Sequence, residues 1–138
     1  MRETLRPGIR HEFAYVVPGS KTVPNVYPES QAFQAMPAVF ATAYLVGLIE
    51  WTCMQAIEPH LDPGELSLGV HMDFSHDAAT PPGLTVTVKV EVMEVEGRRV
   101  TFHIEAHDGV DAISKGTHVR FVIDGERFRK KLKQKRAE

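Results

Sequence analysis

A chain of 138 residues with 16 basic and 18 acidic groups, 43% hydrophobic and formally −2, has the size and composition of one globular domain. That composition excludes disordered, collagenous and low-complexity classes, and the length suffices to bury about two-thirds of the unfolded surface. The single cysteine, Cys53, excludes an intrachain disulfide and a multi-cysteine zinc site.

The opening Met1-Arg2-Glu3-Thr4-Leu5-Arg6-Pro7 lacks the apolar core of a signal peptide, which sets the expectation of a cytoplasmic protein. His11 to Val17 is rich in β-formers and predicts a first strand, stopped by Pro18-Gly19-Ser20. Residues 21–36, with Pro24 and Pro28, follow no regular period and read as a covering segment or lid. From Pro37 to Ile57 the pattern is helical. Proline suits a first helical turn, and the run is apolar on nearly every face, as in a buried helix. The charge-free stretch Gln31–Ile49 is too short and interrupted for a bilayer span, so no membrane partner is expected.

Beyond the Asp62-Pro63-Gly64 turn, Leu66, Leu68, Val70, Met72 and Phe74 alternate with polar residues or glycine. This period of two predicts a strand with one buried face. A third strand carries Leu84, Val86, Val88, Val90 and Val92, and its phase then slips to Met93 and Val95, the mark of a bulge. After Glu96-Gly97-Arg98, Val100, Phe102, Ile104 and Ala106 define a fourth strand; Thr117, Val119, Phe121 and Ile123 define a fifth. The order β-α-β-β-β-β with short turns predicts an α+β protein: an antiparallel sheet wrapped around one long central helix, the hotdog architecture. An all-round apolar helix and open sheet edges call for a homodimer or higher homo-oligomer.

Residues 125–138 hold seven basic and two acidic groups, a net +5 that leaves residues 1–124 at −7. The chain thus divides into a domain over 1–124 and a basic C-terminal tail over 125–138, read as a solvated end. An acidic body is a poor match for nucleic acid.

Three polar residues break the apolar pattern. Glu50 lies inside the helix, where a carboxylate is costly unless paired or protonated. His76 continues the phase of Phe74 and is expected to point inward from the strand. Thr42 lies near the helix start, where amides without acceptors attract negative charge. The eight-residue step from Thr42 to Glu50 spans about 12 Å of rise and about 80° of rotation, so the two cannot bond directly within one helix. His71 and Asp73 lie on one strand and His103, Glu105 and His107 on another, a metal-binding set only if those strands pair.

Ordered segments add a resemblance: Tyr-Pro-Glu-Ser at 27–30, Val-Phe-Ala-Thr at 39–42, Val-Gly-Leu-Ile-Glu-Trp at 46–51 and His-Asp-Ala-Ala-Thr-Pro-Pro-Gly-Leu-Thr-Val-Thr-Val at 76–88. Val-Glu-Gly-Arg-Arg at 95–99, Ala-His-Asp-Gly-Val-Asp at 106–111 and Gly-Thr-His at 116–118 continue it. In these the chain resembles the hotdog-fold thioesterases of the fluoroacetyl-CoA thioesterase type. The resemblance implies hydrolysis of short acyl-CoA thioesters without metal or cofactor, with Thr42, Glu50 and His76 as the family's threonine, glutamate and histidine. Thr42 would attack or orient a water, His76 would act as base and then acid, and Glu50 would hold the imidazole or polarise the water. Gly69 would admit the thioester close to backbone; Phe33, Val39 and Val46 would line a small acyl pocket. Met36 stands where the family's aromatic lid would place a second ring. The basic tail or Arg120 would meet the CoA phosphates. An acyl-CoA hydratase or dehydratase and a non-catalytic acyl-CoA binding module are the alternatives on the same fold.

Overall fold

The computed structural model describes residues 1–137. Its main elements are β1 (Arg10–Val16), α1 (Gln31–Gln34), α2 (Thr42–Ile57), β2 (Glu65–Phe74), β3 (Thr85–Glu96), β4 (Arg99–His107), β5 (Ala112–Asp124) and α3 (Gly125–Ala137). The strands form one antiparallel sheet in the order β1-β3-β4-β5-β2.

The core is the α2 face packed on the centre of that sheet. Leu45, Leu48, Ile49, Cys53 and Ile57 of α2 are buried, as are Val86, Val88, Val90 and Val92 of β3 and Val100, Phe102, Ile104 and Ala106 of β4. The strict alternation along β3 and β4 produces that face. The phase slip expected after Val92 is a register shift between Val92 and Glu94.

Two expectations change. The helix begins at Thr42, not Pro37. The Phe40 amide donates to the Thr80 carbonyl at 2.8 Å and the Ala41 amide to the Lys21 carbonyl at 3.1 Å, so residues 37–41 are held as irregular chain. Secondly, β2 does not keep one apolar face. Its register breaks between Gly69 and His71. Before the break Ser67 and Gly69 face the helix side, against Arg120 and Glu50, while Leu66 lies against Gly125. After it, Met72 and Phe74 turn inward, towards Gly69 and His118. Leu66, Val70 and Met72 stay 42–48% exposed because β2 is an edge strand at the far side of the sheet from β1. The basic tail, for which the sequence sets no secondary structure, is an exposed helix: α3 continues from β5 without a linker, and Glu138 lies outside the described residues. No helix among the described residues is long and apolar enough to cross a membrane.

Gly116 lets β2 lie close to β5. A methyl group there would collide with the Asp73 carbonyl and sit 2.6 Å from the Phe74 Cα, both backbone atoms that cannot swing aside. Gly116→Ala is therefore expected to cost about 1–3 kcal/mol, read as a lower urea midpoint with an unchanged slope.

Candidate active site

Two polar clusters flank α2. At its N-terminus, Thr42 is the first helical residue and has no preceding turn to which its hydroxyl could bond back. The hydroxyl instead lies 2.8 Å from His76 Nδ1. His76 is not on β2, as the strand phase suggested, but two residues beyond its end. The loop is pinned beside β5: the Asp77 amide donates to the Ile113 carbonyl at 2.7 Å, and the Ser75 hydroxyl donates to Asp77 Oδ2 at 2.6 Å. Burial pulls the His76 imidazole below its ordinary pKa, opposed in part by the Asp77 charge and the Ala78 backbone. The ring is thus neutral at pH 7, and Nδ1 can take the threonine proton. Its Nε2 is buried without a hydrogen-bond partner among the described residues.

The second cluster surrounds Glu50. Arg120, 3% exposed, donates from Nη1 to Glu50 Oε2 at 2.9 Å. It also donates from Nε to the Ser67 hydroxyl and from Nη2 to the Ser67 carbonyl, both at 2.8 Å. His118 Nε2 lies 3.0 Å from Nη1, and its Nδ1 lies 2.9 Å from the His71 carbonyl. The carbonyl can only accept, so Nδ1 carries the proton and Nε2 accepts from the guanidinium. Burial lowers the His118 pKa and the Arg120 charge adds to this, against the His71 carbonyl and the Glu50 charge. Gly69 is the gap that admits the Glu50 carboxylate: a methyl group there would overlap Oε2 and sit 3.2 Å from the His118 ring.

Thr42 and His76 are thus brought together, and within the chain Glu50 is bonded to Arg120, not to His76. Arg120 is enclosed, with each of its three nitrogens bonded inside the protein, which removes it from any surface where CoA phosphates could lie. Gly69 faces Glu50. Val46, half-buried, follows Thr42 by one turn on the same side of α2, and Val39 is half-buried just before it. Phe33 on α1 packs on Tyr27 with ring centroids 5.4 Å apart, and Met36 is 49% exposed. The two histidine-carboxylate sets do not meet, because β5 lies between β2 and β4.

His118 and Ser67 escaped the sequence reading. Their signal was present as the polar residues alternating with the apolar ones on β5 and β2. Only a distant partner, Glu50, turns that polar face inward.

Replacing the guanidinium by Arg120→Met leaves a carboxylate without its cation, and about 3–5 kcal/mol of stability should be lost. Adding Glu50→Gln should return part of it, and urea unfolding of the double-mutant cycle gives the coupling. A second expectation concerns pH. As pH falls through about 6.5 the unfolded chain takes up protons that the half-buried His76 and the buried His118 resist. Stability should decline from there downward, and calorimetry of His118→Gln should show a shallower decline.

The family described as FlK, fluoroacetyl-CoA-specific thioesterase, matches residues 21–126. The fluoroacetyl-CoA thioesterase of Streptantibioticus cattleyicolor is 53% identical over 135 residues, 98% of this chain and 97% of its own. Two solved structures of fluoroacetyl-CoA thioesterase FlK, a T42A mutant with fluoroacetate and a T42S mutant with acetyl-CoA, are each 53% identical. Both superpose with a TM-score of 0.93 over 95% of this chain and 98% of theirs. A hot-dog-like protein from Thermanaerovibrio acidaminovorans, 25% identical, superposes with a TM-score of 0.78 over 94% of this chain and 91% of its own. With its central helix, its five-stranded antiparallel sheet and this likeness along nearly its whole length, the chain belongs to the fluoroacetyl-CoA-specific thioesterase family, thioester hydrolases of the hotdog superfamily.

Proposed function

We propose that the chain hydrolyses short acyl-CoA thioesters, fluoroacetyl-CoA among them, and that Thr42 and His76 carry the reaction. The observation that carries this reading is the 2.8 Å contact between the Thr42 hydroxyl and His76 Nδ1. Solved relatives substituted at a threonine numbered 42 support it.

A thioester carbonyl needs a nucleophile and donors for the charge that develops on its oxygen. His76, neutral at pH 7, takes the Thr42 proton as the hydroxyl oxygen attacks the carbonyl carbon. The Tyr44 and Leu45 amides donate to the Ala41 carbonyl, which leaves those of Thr42 and Ala43 at the helix start, suited to the oxyanion. Collapse of the tetrahedral intermediate breaks the C–S bond, and His76 returns the proton to the CoA thiolate. A water then cleaves the acyl-threonine by the same proton path, releasing the acid and restoring the hydroxyl. Glu50, fixed by Arg120, polarises that water. Lying eight residues along α2 from Thr42, it does so from across the substrate or from a second copy. Val39, Val46, Phe33 and Met36 bound the acyl group; Met36 is less rigid than an aromatic lid residue and admits acyl groups besides fluoroacetyl.

The proposal includes a homodimer. Edge strand β2, with Leu66, Val70 and Met72 exposed, supports it, since such an edge is a template for pairing. It also includes the cytoplasm, in keeping with the one unpaired, buried cysteine.

Free-thiol release from a panel of acyl-CoA esters tests the reading. Thr42→Ala and His76→Ala should each lower kcat about 10²–10⁴-fold with the fold intact. If both keep wild-type rates, the assignment fails. The pH profile of kcat/KM should show an acid limb of unit slope whose midpoint lies below the ordinary histidine value of about 6.5, since the base must be neutral. Acylated Thr42 trapped by rapid quench and mass spectrometry identifies the nucleophile; its absence under burst conditions means direct attack by water.

A further inference from the structure

The two reacting side chains are held by different means. His76 lies in the loop between β2 and β3, where the amides of its neighbours Ser75 and Asp77 donate to the Lys115 and Ile113 carbonyls of β5, whereas Thr42 follows an irregular segment that belongs to no strand. What sets that segment against the His76 loop is a further set of contacts. Two stretches that take no part in the chemistry, 77–84 and 106–111, meet behind them. Thr80, fully buried, donates from its hydroxyl to Asp108 Oδ2 at 2.7 Å. Asp108, 4% exposed, is fixed by its own turn: Oδ1 accepts the Val110 amide at 2.9 Å and the Asp111 amide at 2.7 Å. In the other direction the Thr80 carbonyl accepts the Phe40 amide at 2.8 Å, two residues before Thr42. Phe40 is 1% exposed and cannot swing away. One buried threonine therefore ties the His76 loop, the segment entering α2 and the β4–β5 turn to a single point.

We propose that Thr80 and Asp108 are positioning residues for the Thr42–His76 pair: the Asp108–Thr80–Phe40 chain of hydrogen bonds sets the separation of the two reacting side chains. This rests on the reading of that pair as the catalytic dyad. A carboxylate suits the place because two amides and a hydroxyl all donate to it, and an asparagine side chain has a single accepting oxygen. Bonds to an ionised acceptor are about twice as strong as neutral ones. The precision matters, since a displacement of about 1 Å at a reacting pair costs on the order of 10²-fold in rate.

Thr80→Val keeps the shape and removes the hydroxyl. On the acyl-CoA ester that the wild type turns over fastest, kcat should fall about 10–100-fold with KM within about twofold. Thr80→Ser, which keeps the hydroxyl, should recover kcat to within about threefold. A Thr80→Val protein that melts lower yet keeps wild-type kcat well below its melting temperature overturns the proposal. If Thr80→Val does not fold, Asp108→Asn is read in the same way; if neither folds, the pair is a folding element and the proposal also falls. Side-chain nitrogen NMR of His76 supplies a readout independent of turnover. Wild type should show one tautomer fixed by Thr42, and Thr80→Val an average of two. An unchanged signal counts against positioning. Wild-type protein that releases no thiol from any acyl-CoA ester sinks the thioesterase reading alone and leaves the NMR comparison standing.

Discussion

Leu45, Ile49, Cys53 and Ile57 follow one another at intervals of four along α2, and burying that line against the valine face of β3 and β4 is the constraint from which the rest of the molecule follows. A ridge with this spacing fixes the rotation of the helix about its axis. Once it is fixed, Thr42 and Glu50 have no freedom in direction. One opens the helix towards the loop after β2, and the other leans over the end of the sheet where β5 and β2 lie. Cys53, inside the ridge, has its thiol pushed up by burial and acts as a small apolar residue.

The two polar clusters face opposite demands. At Thr42 and His76 an imidazole lies against a hydroxyl, and partial burial favours its neutral form. The Glu50 cluster places a carboxylate and a guanidinium in a poorly solvated spot, which is tolerable only if the donors find acceptors. With Glu50, the Ser67 hydroxyl and carbonyl and the unprotonated nitrogen of His118 engage four of the five guanidinium N–H groups. Gly69 is the residue that makes it sterically possible, and the break in β2 beside it returns the strand to an apolar inward face.

The centre of this fold was legible in the sequence and its periphery was not. Along β3 and β4 the buried side is the apolar side, so alternation suffices, and Val86 to Val92 and Val100 to Ala106 are all inward. On β5 the same rule points to Val119 and Phe121, whereas the helix-facing positions are His118, Arg120 and Val122. Their company is decided by Glu50, seventy residues away, which no local period reports. The helix start was misplaced for a related reason: Pro37 is a good first-turn residue, but the amides of Phe40 and Ala41 are claimed by Thr80 and Lys21. Thr42, Glu50 and His76 stood out as polar residues in apolar surroundings, yet which two of them touch is a property of the loop after β2, fixed by contacts far along the chain.

The direct passage from β5 into α3 bears on how the molecule presents its charge. Seven basic side chains on a flexible tail would form a diffuse cloud; on a helix that grows from a sheet strand they form one pole, set against a body carrying −7. The protein is thus a strong electric dipole with a fixed axis. An anionic solute that comes within about a Debye length, roughly 8–10 Å at physiological salt, meets an attractive end and a repulsive one, so its approach is biased towards α3.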